Sequence, residues 1–382
     1  MKNKLNPASL LYKDGFQTLL ASLLCVFGGL LIGYIVLLII EPSGAWDAIV
    51  AVMKNHMKYP NENLQMKYLG QTLVRTAPLL MCALSVLFAY KVGMFNIGAA
   101  GQYVAGACAA LYCALAFNMP WYVCLLAAMV AGALLGGISG ALKTFFNVNV
   151  VISGIMLNWI ALYLTNLILG LVKNPMSPYT LSIRGVNPAA LLPSLGLHSL
   201  FNNEKSVTIA IPLAVIMSIV VSVVLSKTKF GYELKATGFN YHAAKYAGMK
   251  QNRNIILTMM ISGALAGMGA ALLYLTGIEE WETTLSSVPA MGFNGIAVAF
   301  LGGLSPIGSI LAAYFIQHIT IGGGNVDLTL YSSQISSLIS SLIIFLCAFV
   351  GFFKFAIQEN LRKRDEKKLT LEDANQKGGD VS

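Results

Sequence analysis

The sequence predicts an all-α polytopic membrane protein of about ten transmembrane helices, or eight plus a re-entrant pair. Three observations carry that expectation. Of the 382 residues, 57% are hydrophobic and only 11% charged, whereas soluble domains carry about 25% charged residues. The apolar residues gather into runs of about 20, the length that crosses a bilayer core. The basic residues collect in alternate connecting segments, as the bias of Lys and Arg toward the cytoplasm requires.

The runs are 16–40, 69–89, 99–117, 121–141, 151–172, 207–226, 255–277, 290–304, 307–322 and 335–353. Two of them share the break Gly302-Gly303-Leu304-Ser305-Pro306, so 290–322 is either two tilted helices or a hairpin that does not fully cross. The first run is too long for the apolar core of a signal peptide and lacks a small-x-small cleavage site. It reads as a retained span behind a cytoplasmic N-terminus, 1–15, with 16–353 as the transmembrane domain. An internal N-terminus and ten spans put both termini in the cytoplasm. Eighteen Lys and Arg then lie inside, and only Lys54, Lys58, Lys67, Lys173, Arg184 and Lys205 lie in outer loops.

Residues 41–68 and 173–206 are expected as outer loops. In the first, Trp46, Ile49, Val50 and Met53 recur at helical spacing and share one face. Residues 227–253 form a cytoplasmic loop, and 354–382 a polar cytoplasmic tail expected to be disordered. Gly132, Gly136 and Gly140 recur every four residues, as do Gly263, Gly267 and Ala271. Such ladders let helix backbones approach closely in lipid.

Several function classes lack their residues. None of the sixteen acidic residues sits in the middle of a span, so a carboxylate proton relay has nothing to run on. His318 is the one intramembrane histidine and reads as a hydrogen-bonded packing residue. Arg75, near the outer end of its helix, can snorkel to the interface. There is no G-x-x-x-x-G-K-[ST] phosphate loop and no polar segment large enough for a nucleotide-binding domain. No catalytic motif is present. The six cysteines (Cys25, Cys82, Cys108, Cys113, Cys124 and Cys347) lie singly in apolar runs, which points to packing and not to a disulfide or metal site. The net charge of +9 comes without an aromatic-interleaved basic patch, which fits topology better than nucleic acid. A transporter built this way takes its energy from a partner; the alternative is a self-sufficient secondary carrier or channel for a small neutral solute, with sodium coupling through backbone carbonyls open to it.

Two stretches resemble a known family. Phe95-Asn96-Ile97-Gly98-Ala99-Ala100-Gly101-Gln102 is similar to the F-N-I-G-x-x-G-Q signature of ABC importer permeases of the branched-chain amino acid, ribose and nucleoside class. Gly231-Tyr232-Glu233-Leu234-Lys235-Ala236-Thr237-Gly238-Phe239-Asn240, continuing through Ala243-Ala244-Lys245-Tyr246-Ala247-Gly248-Met249, resembles the cytoplasmic loop of that class. Ile261–Gly267 and Gly292–Ala299 extend the likeness, which runs from about Thr72 to Phe353 and is strongest to the nucleoside subgroup. Val150 stands where nucleoside-type members carry Glu, Lys235 where Arg is usual, and Tyr241 where Pro is common.

The resemblance implies a type II ABC importer-like permease in the plasma membrane of a prokaryote. It implies ATP-binding subunits that hold the ATP and Mg, a solute-binding lipoprotein and a second homologous permease, forming a heterodimer. The permease itself holds no cofactor and works embedded in membrane lipid. In the cytoplasmic loop, 241–246 is expected as a short lever helix started by Asn240. Gly238 and Gly248 would break the chain on either side. Ala243, Ala244 and Gly248 would seat closely in a partner groove. For the solute pathway the neutral polar and aromatic residues inside apolar helices are Asn96, Gln102, Asn158, Trp159 and Asn294. Amides and an indole suit an uncharged solute with a stackable base and hydroxyls, but they equally suit hydrogen bonds between helices.

Overall fold

The structure is a computed structural model that describes residues 12, 14–327, 329–332, 334–347 and 349–379; most of the expected N-terminal segment 1–15 lies outside them. The regular structure among these residues is helical, apart from two isolated bridges in the outer loops. The apolar helices are α1 (Asp14–Ile40), α3 (Glu62–Lys91), α4 (Ala99–Leu115), α5 (Trp121–Phe146), α6 (Val150–Leu169), α7 (Ala210–Lys227), α10 (Gln251–Tyr274), α11 (Met291–Leu301), α12 (Pro306–Gly322) and α13 (Ile335–Cys347). Between them lie α2 (Ala45–Lys54), α8 (Lys229–Phe239) and α9 (Tyr241–Tyr246), the first expected on the outer side and the other two on the inner, and α14 (Val350–Gly379) follows α13. Among the described residues seven helices are long and apolar enough to cross a membrane, or eight if the pair α13–α14, bent by 44°, counts as one span. The remaining two apolar segments, α4 and α11, are shorter.

The centre of the bundle is α3, 30 residues long and buried along most of its apolar length. It packs against α10, α11, α12 and α7. Pro78 interrupts its hydrogen-bond ladder, and nearby the Arg75 carbonyl accepts from Gln317 Nε2 of α12 at 3.0 Å. The tightest seam joins α5 to α10. A methyl group on Gly132 would overlap the Gly263 carbonyl, and one on Gly136 the Met259 carbonyl. The two glycine ladders are therefore each other's partners. In lipid, where apolar burial drives little association, such backbone contact is the main source of packing energy.

The segment 290–322 is asymmetric. At 11 residues α11 spans about 16 Å, half the bilayer core, whereas α12 has 17 residues. Gly303 (φ +65°) and Leu304 (φ +53°) turn the chain between them, and Ser305 caps α12 with Pro306 in its first turn. Hydroxyls from two neighbours pin the break: Ser22 Oγ donates to Leu301 O at 2.7 Å and Ser218 Oγ to Pro306 O at 2.6 Å.

Three expectations need correction. The face of α2 buried on the protein is Ala45, Ala48, Ile49 and Val52, while Trp46 and Met53 are exposed. Small residues win because α2 must touch backbone: a methyl group on Gly322 would overlap the Val52 carbonyl. Trp46 instead meets Tyr34 edge-on at 6.2 Å, where an indole suits a membrane interface. Arg75 does not snorkel freely; it pairs with Glu279 of the outer acidic cluster. The tail is helical to Gly379. Arg362 pairs with Glu359 (3.0 Å) and Glu366 (3.5 Å), and Lys363 with Glu359 (3.7 Å), a ladder at helical spacing that polar composition alone does not register.

Candidate solute pathway and coupling surface

The chain leaves α3 at Lys91, turns at Gly93 (φ +78°) and re-enters the bundle as α4. The connecting loop, 92–98, carries Asn96, which is fully buried. Its Nδ2 donates to Gln102 Oε1 at 2.8 Å and to Ser262 Oγ of α10 at 2.7 Å. Gln102 Nε2 returns a bond to Asn96 Oδ1 at 3.3 Å, and Ser262 Oγ donates to the Ser85 carbonyl of α3 at 2.8 Å. From the other side Asn158 of α6 accepts from Gly101 N at 2.7 Å and donates to Ile97 O at 3.2 Å. Asn96, Gln102 and Asn158 thus converge on one broken helix start. They are buried and paired with protein, and so lock α3, α4, α6 and α10 together.

Trp159 and Asn294 lie differently. Trp159 is 40% exposed and stacks on Tyr163 of the next turn, with ring centroids 6.1 Å apart and planes at 23°. Asn294 is half-buried on α11 beside exposed Phe293, and no hydrogen bond to its side chain forms among the described residues. Both helices flank α4: Gly101 abuts Asn158, and Gly292 abuts Ala100 so closely that a methyl group would overlap the Ala100 backbone. Of the five residues, Trp159 and Asn294 keep polar capacity for a solute. Two cavities lie elsewhere, one of about 440 Å³ beside α2 and one of about 640 Å³ between α1 and the α11–α12 break; none of the five lines either.

The loop 227–253, expected on the cytoplasmic side, folds into the pair α8–α9. Asn240 caps α9 as expected, its Oδ1 accepting from Ala243 N at 3.0 Å. Gly248 (φ +76°) ends it in open space. Gly238 does not break the chain. It is helical in α8 and seats on Val92 and Gly93, where any side chain would overlap the Val92 carbonyl. Ala244 is also corrected: it is 3% exposed and faces its own chain, so it is not available to a partner. Ala243 and Gly248 are exposed, together with Phe239 (95%) and Tyr246 (93%). Side chains fix the pair to α10, among them Gln251, whose Nε2 donates to Tyr241 O at 3.3 Å, and Arg253, which pairs with Glu233 at 3.6 Å. Asn254 Nδ2 donates to Thr237 Oγ1 at 3.0 Å, and Tyr241 OH to Asn252 Oδ1 at 3.1 Å.

A cap over α6 and α10 lies outside the expectations drawn from the sequence. Fully buried Trp281 donates from Nε1 to Asn166 Oδ1 at 3.0 Å, and Asn166 Nδ2 donates to Leu285 O at 2.8 Å. Arg184 reaches Thr276 O at 2.7 Å. A lone buried tryptophan in a polar stretch was the available signal.

A multi-pass helical membrane protein is the class this arrangement defines: a helix start locked by amides at the centre, with the helix pair α8–α9 seated on the loop that precedes it. The chain belongs to the family described as branched-chain amino acid transport system, permease component, which matches residues 68–348. It is 34% identical over 302 residues to the guanosine ABC transporter permease protein NupP of Bacillus subtilis, covering 78% of this chain and 85% of that one. To the nucleoside ABC transporter permease protein NupB of Lactococcus lactis it is 31% identical over 375 residues, 95% and 98% of the two chains. A glucose ABC transporter permease protein of Haloferax volcanii is 30% identical over 361 residues, 91% and 90%. No solved structure gives a significant match. The protein is the membrane permease subunit of an ABC importer.

Proposed function

We propose that this permease moves nucleosides into the cell, driven by ATP hydrolysis on partner subunits that dock on α8–α9. The observation that carries the coupling is the seat of Gly238 on Val92–Gly93. A push on the inner helix pair is delivered by backbone contact to the loop that holds Asn96, and from there to the starts of α4 and α6. The solute class is supported by the names of the relatives NupP and NupB and by the chemistry of Asn294, Phe293 and the Trp159–Tyr163 stack, which offer an amide and aromatic faces without charge.

In this reading residues 1–15 and 354–382 are cytoplasmic, 16–353 form the transmembrane domain, and 227–253 is the coupling segment. ATP and Mg belong to the ATP-binding subunits, and a solute-binding lipoprotein delivers the nucleoside. A second homologous permease completes a pathway of which this chain supplies the exposed faces of α6 and α11. The assembly works in the plasma membrane of a prokaryote.

The test is uptake by proteoliposomes holding this chain, its second permease, the ATP-binding subunits and the lipoprotein. Labelled guanosine is expected to accumulate only with internal ATP, and glucose is not expected to compete. Accumulation by this chain alone under an ion gradient would overturn the importer reading; competition by glucose but not by adenosine would overturn the solute assignment.

A further inference from the structure

On the outer side the segment α2 and the 3-10 turn after it, Asn55–Lys58, are held against the end of α12 by a dense set of contacts. His318 Nε2 lies 2.8 Å from Met53 O; a carbonyl only accepts, so Nε2 carries the proton and Nδ1 the lone pair. That lone pair faces Asn55 Nδ2 at 3.4 Å and Tyr314 OH at 3.5 Å. Asn55 Nδ2 also donates to Thr72 Oγ1 of α3 at 3.2 Å. Asn325, just past α12, accepts from Lys58 Nζ at 2.6 Å and Tyr59 OH at 3.1 Å and donates to Asn55 O at 3.3 Å. Gly322 lies directly against Val52 O.

In the middle of this clasp is His56. It is 6% exposed, its ring meets His318 edge-on at 5.5 Å, and its Nδ1 is buried with no hydrogen-bond partner. A neutral ring tolerates that place. A protonated ring does not, because both nitrogens then need acceptors and the buried one has none.

We propose that His56 is a proton-sensitive latch: uptake of a proton on its ring, beside His318, releases residues 45–58 from the end of α12. Burial, and then the neighbouring His318, hold the His56 ring below its ordinary value, so the closed clasp favours the neutral form. The sign follows from linkage. The closed state binds fewer protons than the open one, so closure is complete above the ordinary histidine range near 6.5 and weakens as pH falls below it. Other titratable and polar groups belong to the clasp. From α12 come His318 and Tyr314, from α3 Tyr68 and Thr72, and from α2 and the turn Lys54 and Lys58; beyond α12 lies Asp327. Among them His318 is the one that acts on the His56 ring. Asp327 is held below the usual carboxylate range by Thr329, first through its backbone and then its hydroxyl, so it does not titrate where His56 does. The latch does not depend on which solute is carried.

The experiment is hydrogen–deuterium exchange on the complete permease in lipid nanodiscs at pH 7.5, 6.5 and 5.5, corrected for intrinsic exchange. Protection of residues 45–58 is expected to fall by up to about tenfold per pH unit below about 6.5, with the α5–α10 seam unchanged. His56→Gln, which cannot charge, is expected to abolish that pH dependence. Equal corrected protection of 45–58 across the range in the wild type overturns the proposal, whether or not the Gln variant packs. An undiminished pH dependence in His56→Gln overturns it equally.

Discussion

Asn96 and Asn294 are the same residue type in similar apolar surroundings, and the structure separates them. Asn96 bonds Gln102 and Ser262 in full burial, so Asn96→Ala strands both Oε1 and Nε2 of buried Gln102, while Ser262 keeps its bond to the Ser85 carbonyl. Each unsatisfied group costs about 1–3 kcal/mol, and the purified permease is expected to melt several degrees lower. Asn294 has no such partners. Asn294→Ala is expected to leave the melting temperature within about 1 °C, corresponding to a change under about 0.5 kcal/mol, while lowering nucleoside uptake. Thermal unfolding in detergent, read beside proteoliposome uptake, checks both variants. An uptake loss for Asn294→Ala accompanied by an equal loss of stability would remove it from the pathway. At this scale the sequence could mark polar side chains in apolar runs but not their partners. Asn96 and Ser262 are 166 residues apart, and Arg75 and Glu279 are 204 apart. No local periodicity encodes such pairings, which is why five candidates divided into three locks and two open groups only in three dimensions.

At the scale of elements, what was legible is what repeats. Runs of apolar residues marked every span, and the period of four in Gly132, Gly136, Gly263 and Gly267 marked the α5–α10 seam. The choice of face on α2 was not legible, because hydrophobicity ranks Trp46 above Ala48 whereas contact with the Gly322 backbone requires the smaller side chains. Close backbone approach decides the seam in the same way. Gly263→Val places a branched side chain where even a methyl group overlaps the Gly132 carbonyl. The helices must separate, and with them the contacts that hold α4 and α6. Gly170→Val, at the end of α6 with nothing near a new methyl group, is the matched control. Gly263→Val is expected to lose most of its monodisperse peak in fluorescence-detected size exclusion, and Gly170→Val to keep it. Comparable peaks would mean that this seam does not hold the bundle together.

Across the whole molecule the two motifs that carry the family likeness, far apart in the chain, are brought together: Gly238 of the second abuts Val92–Gly93, immediately before the first. The inner pair α8–α9 touches loop 92–98 through Gly238, and that loop anchors the amide network at the core. Docking and transmission are therefore separable. In the proposed coupling, the surface offered to an ATP-binding subunit is Phe239 and Tyr246, both more than nine-tenths exposed, and exposed aromatics are the residues that interfaces use as anchors. Phe239→Ser with Tyr246→Ser removes the anchors without touching the core. It is expected to cost about 2 kcal/mol or more of docking energy, roughly thirtyfold in affinity, with membrane insertion and melting temperature unchanged. Gly238→Ala is the opposite case. Its methyl group pushes α8 off Val92 while leaving Phe239 and Tyr246 exposed, so the ATPase is expected to dock and hydrolyse ATP with uptake reduced. Binding of the ATP-binding subunit, ATPase rate and uptake, measured together on the assembled importer, distinguish the two. If Gly238→Ala instead lost docking in step with the double Ser variant, the contact with Val92–Gly93 would be a support for the docking surface and not the path by which its movement reaches the bundle.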